Sequence, residues 1–132
     1  MELALVTNND LFPGDMQALE GCEVIFCRDL PEVLRTCKHL LETGWRFECD
    51  PLAGYLSRPN PFHSILLNKR KQEDEQFLLR DIDALDALFR LYAENQDRYL
   101  AHASTQRRLN DHRAVDYSII SRVLEARYVK EV

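Results

Sequence analysis

The sequence predicts an α/β fold: a small, mostly parallel four-stranded sheet flanked by helices, with two long C-terminal helices. Three observations predict it. Short apolar runs bounded by polar or turn-forming residues fill the first half of the chain. A segment of helical periodicity separates the second run from the third, as a β-α-β unit requires. Beyond residue 73 the apolar residues recur only at helical spacing. The chain reads as a single domain over 1–132, strand-rich over 1–68 and helical over 73–130.

Glu2 to Val6 is a first strand, ended by polar Thr7-Asn8-Asn9. Leu11 to Glu20 contains Phe12-Pro13-Gly14, which predicts a turn followed by one or two helical turns. Cys22 to Cys27 is a second strand. A helix follows, with Asp29 as N-cap and Pro31 in the first turn, where its missing N–H costs nothing. Val33, Leu34, Cys37, Leu40 and Leu41 share its apolar face, Gly44 suits its C-terminal stop, and His39 lies on the solvated side. Trp45 to Cys49 reads as a third strand and Phe62 to Asn68 as a fourth, its Ile65-Leu66-Leu67 run implying burial on both faces. The intervening loop, extended, spans roughly 40 Å, so the direction of the fourth strand stays open.

Lys69-Arg70-Lys71 and Glu73-Asp74-Glu75 form a charged junction whose acidic trio suits a helix N-terminus. Leu78, Ile82, Leu85, Phe89 and Tyr92 then mark a helix from Asp74 to about Leu100, widened by Phe77, Leu88 and Leu91. Uninterrupted, that helix is about 40 Å long, more than the width of a domain whose radius of gyration is about 14 Å. It must break near Asn95-Gln96 or project. His102 to Asp111 is polar and expected to turn the chain. A last helix is predicted from about His112 to Val129, burying Val115, Ile119, Val123 and Ala126.

Composition narrows the function classes. With 132 residues, a 45% apolar share and a net charge of −5, the chain can bury a core but offers no bulk electropositive face, so no nucleic-acid partner is expected. No run approaches the ~20 apolar residues that span a bilayer, and the N-terminus lacks the basic start of a signal peptide, so the expected setting is cytoplasmic, without a membrane. Cys22, Cys27, Cys37 and Cys49 contain no C-x-x-C pair and read as reduced, with Cys22 and Cys27 on opposite faces of their strand. No metal or cofactor is expected, since glycine-rich phosphate loops, H-E-x-x-H and G-x-S-x-G are all absent.

Two segments carry polarity where α/β sheets bind ligands, beyond the carboxyl ends of strands. Thr7, Asn8 and Asn9 close the first strand; these side chains offer donors and acceptors, or simply cap their own turn. The segment 50–64 contains three prolines and Gly54, with Asp50, Arg58, Asn60, His63 and Ser64 as its polar groups. Arg58 with backbone N–H groups suits a small anionic molecule; the plainer role is a stiff connector. The candidate ligand-binding set is therefore Thr7, Asn8, Asn9, Asp50, Gly54, Arg58, Asn60 and Ser64. No catalytic residue is assigned, because His63 and Ser64, adjacent on a strand, point apart.

Thr7-Asn8-Asn9, Thr43-Gly44, Pro51-Leu52-Ala53-Gly54 and Pro59-Asn60-Pro61-Phe62-His63-Ser64-Ile65 together resemble the GrdX-like family. The resemblance covers the chain to about residue 68, with Asp50 standing where the family loop has His. Such proteins are encoded beside glycine, sarcosine or betaine reductase components in anaerobic bacteria. The resemblance thus implies a non-catalytic accessory or small-ligand-binding protein associated with an amino-acid reductase system. Two alternatives remain: a helix-mediated homodimer joined along Leu78–Tyr92, and a small enzyme acting on an anionic metabolite through Asp50, Arg58 and Ser64.

Overall fold

A computed structural model describes residues 3–12, 22–49, 51, 60–69, 75–98 and 105–131. Four strands, β1 (Leu3–Thr7), β2 (Cys22–Phe26), β3 (Trp45–Phe47) and β4 (Ser64–Lys69), form one sheet in the order β2-β1-β4-β3. β1 and β2 are parallel, with Leu3 opposite Cys22 and Thr7 opposite Phe26. β4 runs antiparallel to both neighbours, pairing Thr7 with Ser64 and Phe47 with Leu67. The sheet is therefore mixed, which corrects the mostly parallel arrangement expected from sequence. The cause lies in the connection from β3 to β4. Its prolines and glycine disfavour the crossover helix that would return the chain parallel, so β4 turns back and inserts between β3 and β1.

Helices cover both faces. On one, α1 (Leu30–Glu42) and α2 (Glu75–Glu94) pack on Val6, Ile65, Leu67 and Phe47. On the other, α3 (Gln106–Glu131) lays Ile120 and Leu124 on Leu3, Leu5 and Leu66, where Phe12 also lies against Tyr117, ring centroids 5.0 Å apart. This two-sided cover explains why β1 and the middle of β4 are unbroken apolar runs rather than alternating ones. Cys22 packs in the α3 layer and Cys27 in the other, the opposite facing that their spacing predicts. All four cysteines are free thiols, and burial pushes those of Cys22, Cys27 and Cys37 above the usual range, disfavouring thiolate.

The ends of α1 follow the local rules. Asp29 Oδ1 accepts from Glu32 N at 2.9 Å, and Gly44, with φ 100°, leaves the helix in the left-handed region. A Cβ on Gly44 would meet no neighbouring atom, so substitution there tests backbone conformation alone. Gly44→Ala is expected to cost about 1–2 kcal/mol in urea unfolding; unchanged stability would show that the turn does not need its positive φ.

α2 ends at Glu94: Asn95 N donates to Leu91 O and Tyr92 O, and Asn95 Nδ2 to Leu91 O at 2.8 Å. This is the break that the length argument requires. α3 starts earlier than predicted, because Thr105 caps it: Oγ1 accepts from Arg108 N and the carbonyl from Leu109 N. Its buried face is also displaced from the expected one. Asp116, Ile120 and Leu124 face the sheet, whereas Val115 is 53% exposed. The predicted turn and helical turns over 13–20 lie outside the described residues. Among the described residues, no helix is long and apolar enough to cross a membrane.

Candidate functional site

At the carboxyl end of β1, alternation turns Thr7 toward α3, and antiparallel pairing sets Ser64 beside it on the same face. Their hydroxyl oxygens are 2.7 Å apart. Ser64 Oγ donates to Asp116 Oδ2 at 2.6 Å, which uses its one hydrogen, so Thr7 supplies the hydrogen between the two hydroxyls. Thr7 Oγ1 in turn accepts from Asn9 N at 2.9 Å. A directed chain thus runs from a backbone N–H through two hydroxyls to the Asp116 carboxyl group. That carboxyl also accepts from Ser64 N at 3.0 Å and Asn9 Nδ2 at 3.0 Å.

The three asparagines complete the arrangement. Asn9 donates to Arg113 O and accepts from Leu11 N; Asn8 accepts from His63 N and donates to Pro61 O; Asn60 accepts from Phe62 N and donates to His112 O. Each amide therefore shapes a local turn and ties it to a distant element. None of Thr7, Asn8, Asn9, Asn60 and Ser64 is more than 9% exposed. The structure gathers these five predicted residues into one buried cluster; Asp50, Gly54 and Arg58 lie outside the described residues. Arg113 borders the cluster: its guanidinium lies over the Phe62 ring, 4.7 Å from the centroid. Its Nε is 2.9 Å from Asp10 Oδ1, a charge pairing in which the N–H is not aimed at the oxygen.

His63 and Ser64 diverge as alternation predicts. His63 Nε2 lies 2.8 Å from Pro51 O; a carbonyl only accepts, so Nε2 carries the hydrogen. That bond joins the two ends of the stretch 52–59, forming a neck held to β1 by Asn8. Beside the neck opens a cavity of about 320 Å³, lined by Phe47, Glu48, Cys49, Pro51, Arg80, Asp81 and Ala84. Asp81 is buried and accepts from Phe47 N at 2.9 Å, while the exposed Arg80 guanidinium bonds to Asp81. The open hollow thus reaches Pro51 at the neck, but its lining is separate from Thr7, Asn8, Asn9, Asn60 and Ser64.

Burial lowers the pKa of His63 from its usual 6.5, opposed by the nearby Asp116 and by the bond to Pro51 O. Below pH 6.5 the unfolded chain takes up a proton that folded His63 resists. The associated stability is therefore complete above that pH and is lost as the pH falls toward the lower folded value. Thermal melts between about pH 8 and pH 5 should show this loss, and His63→Gln should flatten it within that window. An unaltered slope in the variant would assign the dependence to other groups.

Sequence reasoning missed Asp116, His63's bond to Pro51, and Arg113. For Asp116 a signal existed: an acidic residue one position from an apolar stripe, in a chain whose first strand ends in three uncompensated polar side chains. Among the described residues, no group of three or more His, Cys, Asp or Glu could hold a metal ion. The family model described as GrdX-like protein matches residues 4–125. No curated protein and no solved structure matches the chain.

Proposed function

The chain belongs to the GrdX-like family, and from that premise we propose that it is a non-catalytic accessory protein that binds a small anionic molecule, in association with an amino-acid reductase system. The observation that carries the binding reading is the neck. His63 Nε2 and Pro51 O close a stretch containing Gly54 and Arg58, and the saturated cluster beneath holds that neck to β1 and α3. Loops that bind are disproportionately those carried on rigid platforms. Arg58, the backbone N–H groups of the loop and Arg80 in the adjoining cavity supply the positive groups. Thr7, Asn8, Asn9, Asn60 and Ser64 contribute as the platform, with Asp50 and Gly54 belonging to the loop itself. The non-catalytic reading rests on Ser64, whose hydroxyl hydrogen is committed to Asp116, and on His63, turned to Pro51.

Thermal-shift screening against phosphate, glycine, betaine and nucleotides tests the reading. A ligand tenfold above its Kd should raise the melting temperature by roughly 5 °C, and Arg58→Ala should abolish the rise. No shift with any of the four at millimolar concentration would overturn it. A second reading, a homodimer through α2, draws on Leu79 and Ile82, which are exposed at 61% and 38% while Leu85 and Leu88 are spent on the core. Light scattering that finds only monomer at high concentration would remove it.

A further inference from the structure

A second cavity, of about 340 Å³, lies on the other flank of α2, between its first half and the C-terminal end of α1. Leu41, Leu78, Ile82 and Leu85 give it an apolar wall, with Lys38, Glu42 and Asp86 around it and Arg46 also in its lining. Arg46 is the unusual member. It is only 5% exposed, yet among the described residues no carboxylate pairs with it. One nitrogen, Nη1, donates to Leu41 O at 3.0 Å and to Trp45 O, closing the end of α1. Capping uses that nitrogen alone. Nε and Nη2 bond to no protein group among the described residues. A guanidinium is a planar fork suited to a carboxylate, and the two unbonded nitrogens of Arg46 are not sealed from open space.

We propose that this cavity binds a short aliphatic carboxylate, its head group on Arg46 and its chain along Leu41, Leu78, Ile82 and Leu85. The volume suits on the order of eight to ten non-hydrogen atoms, at the small end of ligand pockets. Two sources share this chemistry, a simple fatty acid and an amino acid with an aliphatic side chain. The second would set its ammonium group against Glu42 or Asp86.

The test is isothermal titration with hexanoate and with leucine, in parallel with methyl-resolved NMR of Leu78, Ile82 and Leu85. Saturable binding of either, with shifts confined to those methyls, supports the site; tighter hexanoate points to a simple acid and tighter leucine to an amino acid. Arg46→Lys keeps a cation to close α1 but loses the fork, and is expected to weaken binding at least tenfold. Because changes at Arg46 also touch the helix end, Ile82→Trp serves as a second variant. It fills the cavity from a partly exposed position and should abolish binding without unfolding the protein. Arg58→Ala should leave binding unchanged, which separates this site from the loop site proposed above. Absence of binding by both probes at millimolar concentration, or undiminished binding in Ile82→Trp, overturns the proposal.

Discussion

Asp116→Ala is expected to lower stability by about 3–4 kcal/mol and the melting temperature by roughly 10–15 °C, measured by chemical and thermal denaturation. The carboxyl group is 5% exposed and accepts from Ser64 N, Ser64 Oγ and Asn9 Nδ2. Alanine leaves these three donors without the acceptor they share. Asp116→Asn separates acceptor loss from volume. Oδ1 of the new amide can still accept from Ser64 N, but its Nδ2 then meets Asn9 Nδ2, donor against donor. Flipping the amide only moves the conflict to Ser64 N. A cost of about 2 kcal/mol is therefore expected for Asn. Val115→Ala, one residue away and 53% exposed, should change stability by less than about 0.5 kcal/mol. Equal effects at 115 and 116 would show that α3 presents the other face to the sheet.

That comparison also shows why part of the molecule was legible in the sequence and part was not. Asp29, Pro31 and Gly44 act within a few residues of the helix they bound, so their meaning survives without knowledge of the fold. The Ile65-Leu66-Leu67 run likewise needed no partner to declare burial on two faces. Asp116 is different. Its acceptor role exists only because Ser64 and Asn9 lie 52 and 107 positions away, and hydrophobic periodicity counts it against the face it occupies. Of the predicted stripe Val115, Ile119, Val123, Val123 still packs on the core while Val115 is exposed, and the buried line runs through Asp116, Ile120 and Leu124. Thr7, Asn8 and Asn9 read from sequence as ligand contacts or as caps of their own turn, and Asn9 does cap that turn, its Oδ1 accepting from Leu11 N. Their burial was not visible, because it depends on α3 descending over them from the far end of the chain. The direction of β4 escaped for a related reason: strand composition carries no sign of direction, and only the nature of the preceding connection supplies one.

The largest apolar effects are expected at two adjacent residues of β4. Leu66 and Leu67 are both fully buried, yet pleating sends Leu66 into the α3 layer and Leu67 into the layer of α1 and α2. Leu66→Ala and Leu67→Ala should each cost about 3–4 kcal/mol by urea unfolding, the transfer and cavity terms of a closed site. In an antiparallel sheet with one wet face, only one of a neighbouring pair would show such a cost. Leu66 pairs with Leu5, and Leu67 with both Ala4 and Phe47, so β4, like β1, presents side chains to both layers. The two costs should therefore add when the substitutions are combined, since their side chains share no partner across the sheet, to within about 0.5 kcal/mol. A double variant much less destabilised than that sum would mean that loss of one layer already releases the other. Ser64, at the start of the same strand, would then lose its geometry with Asp116 as soon as either layer loosened, and the neck at His63 and Pro51 with it.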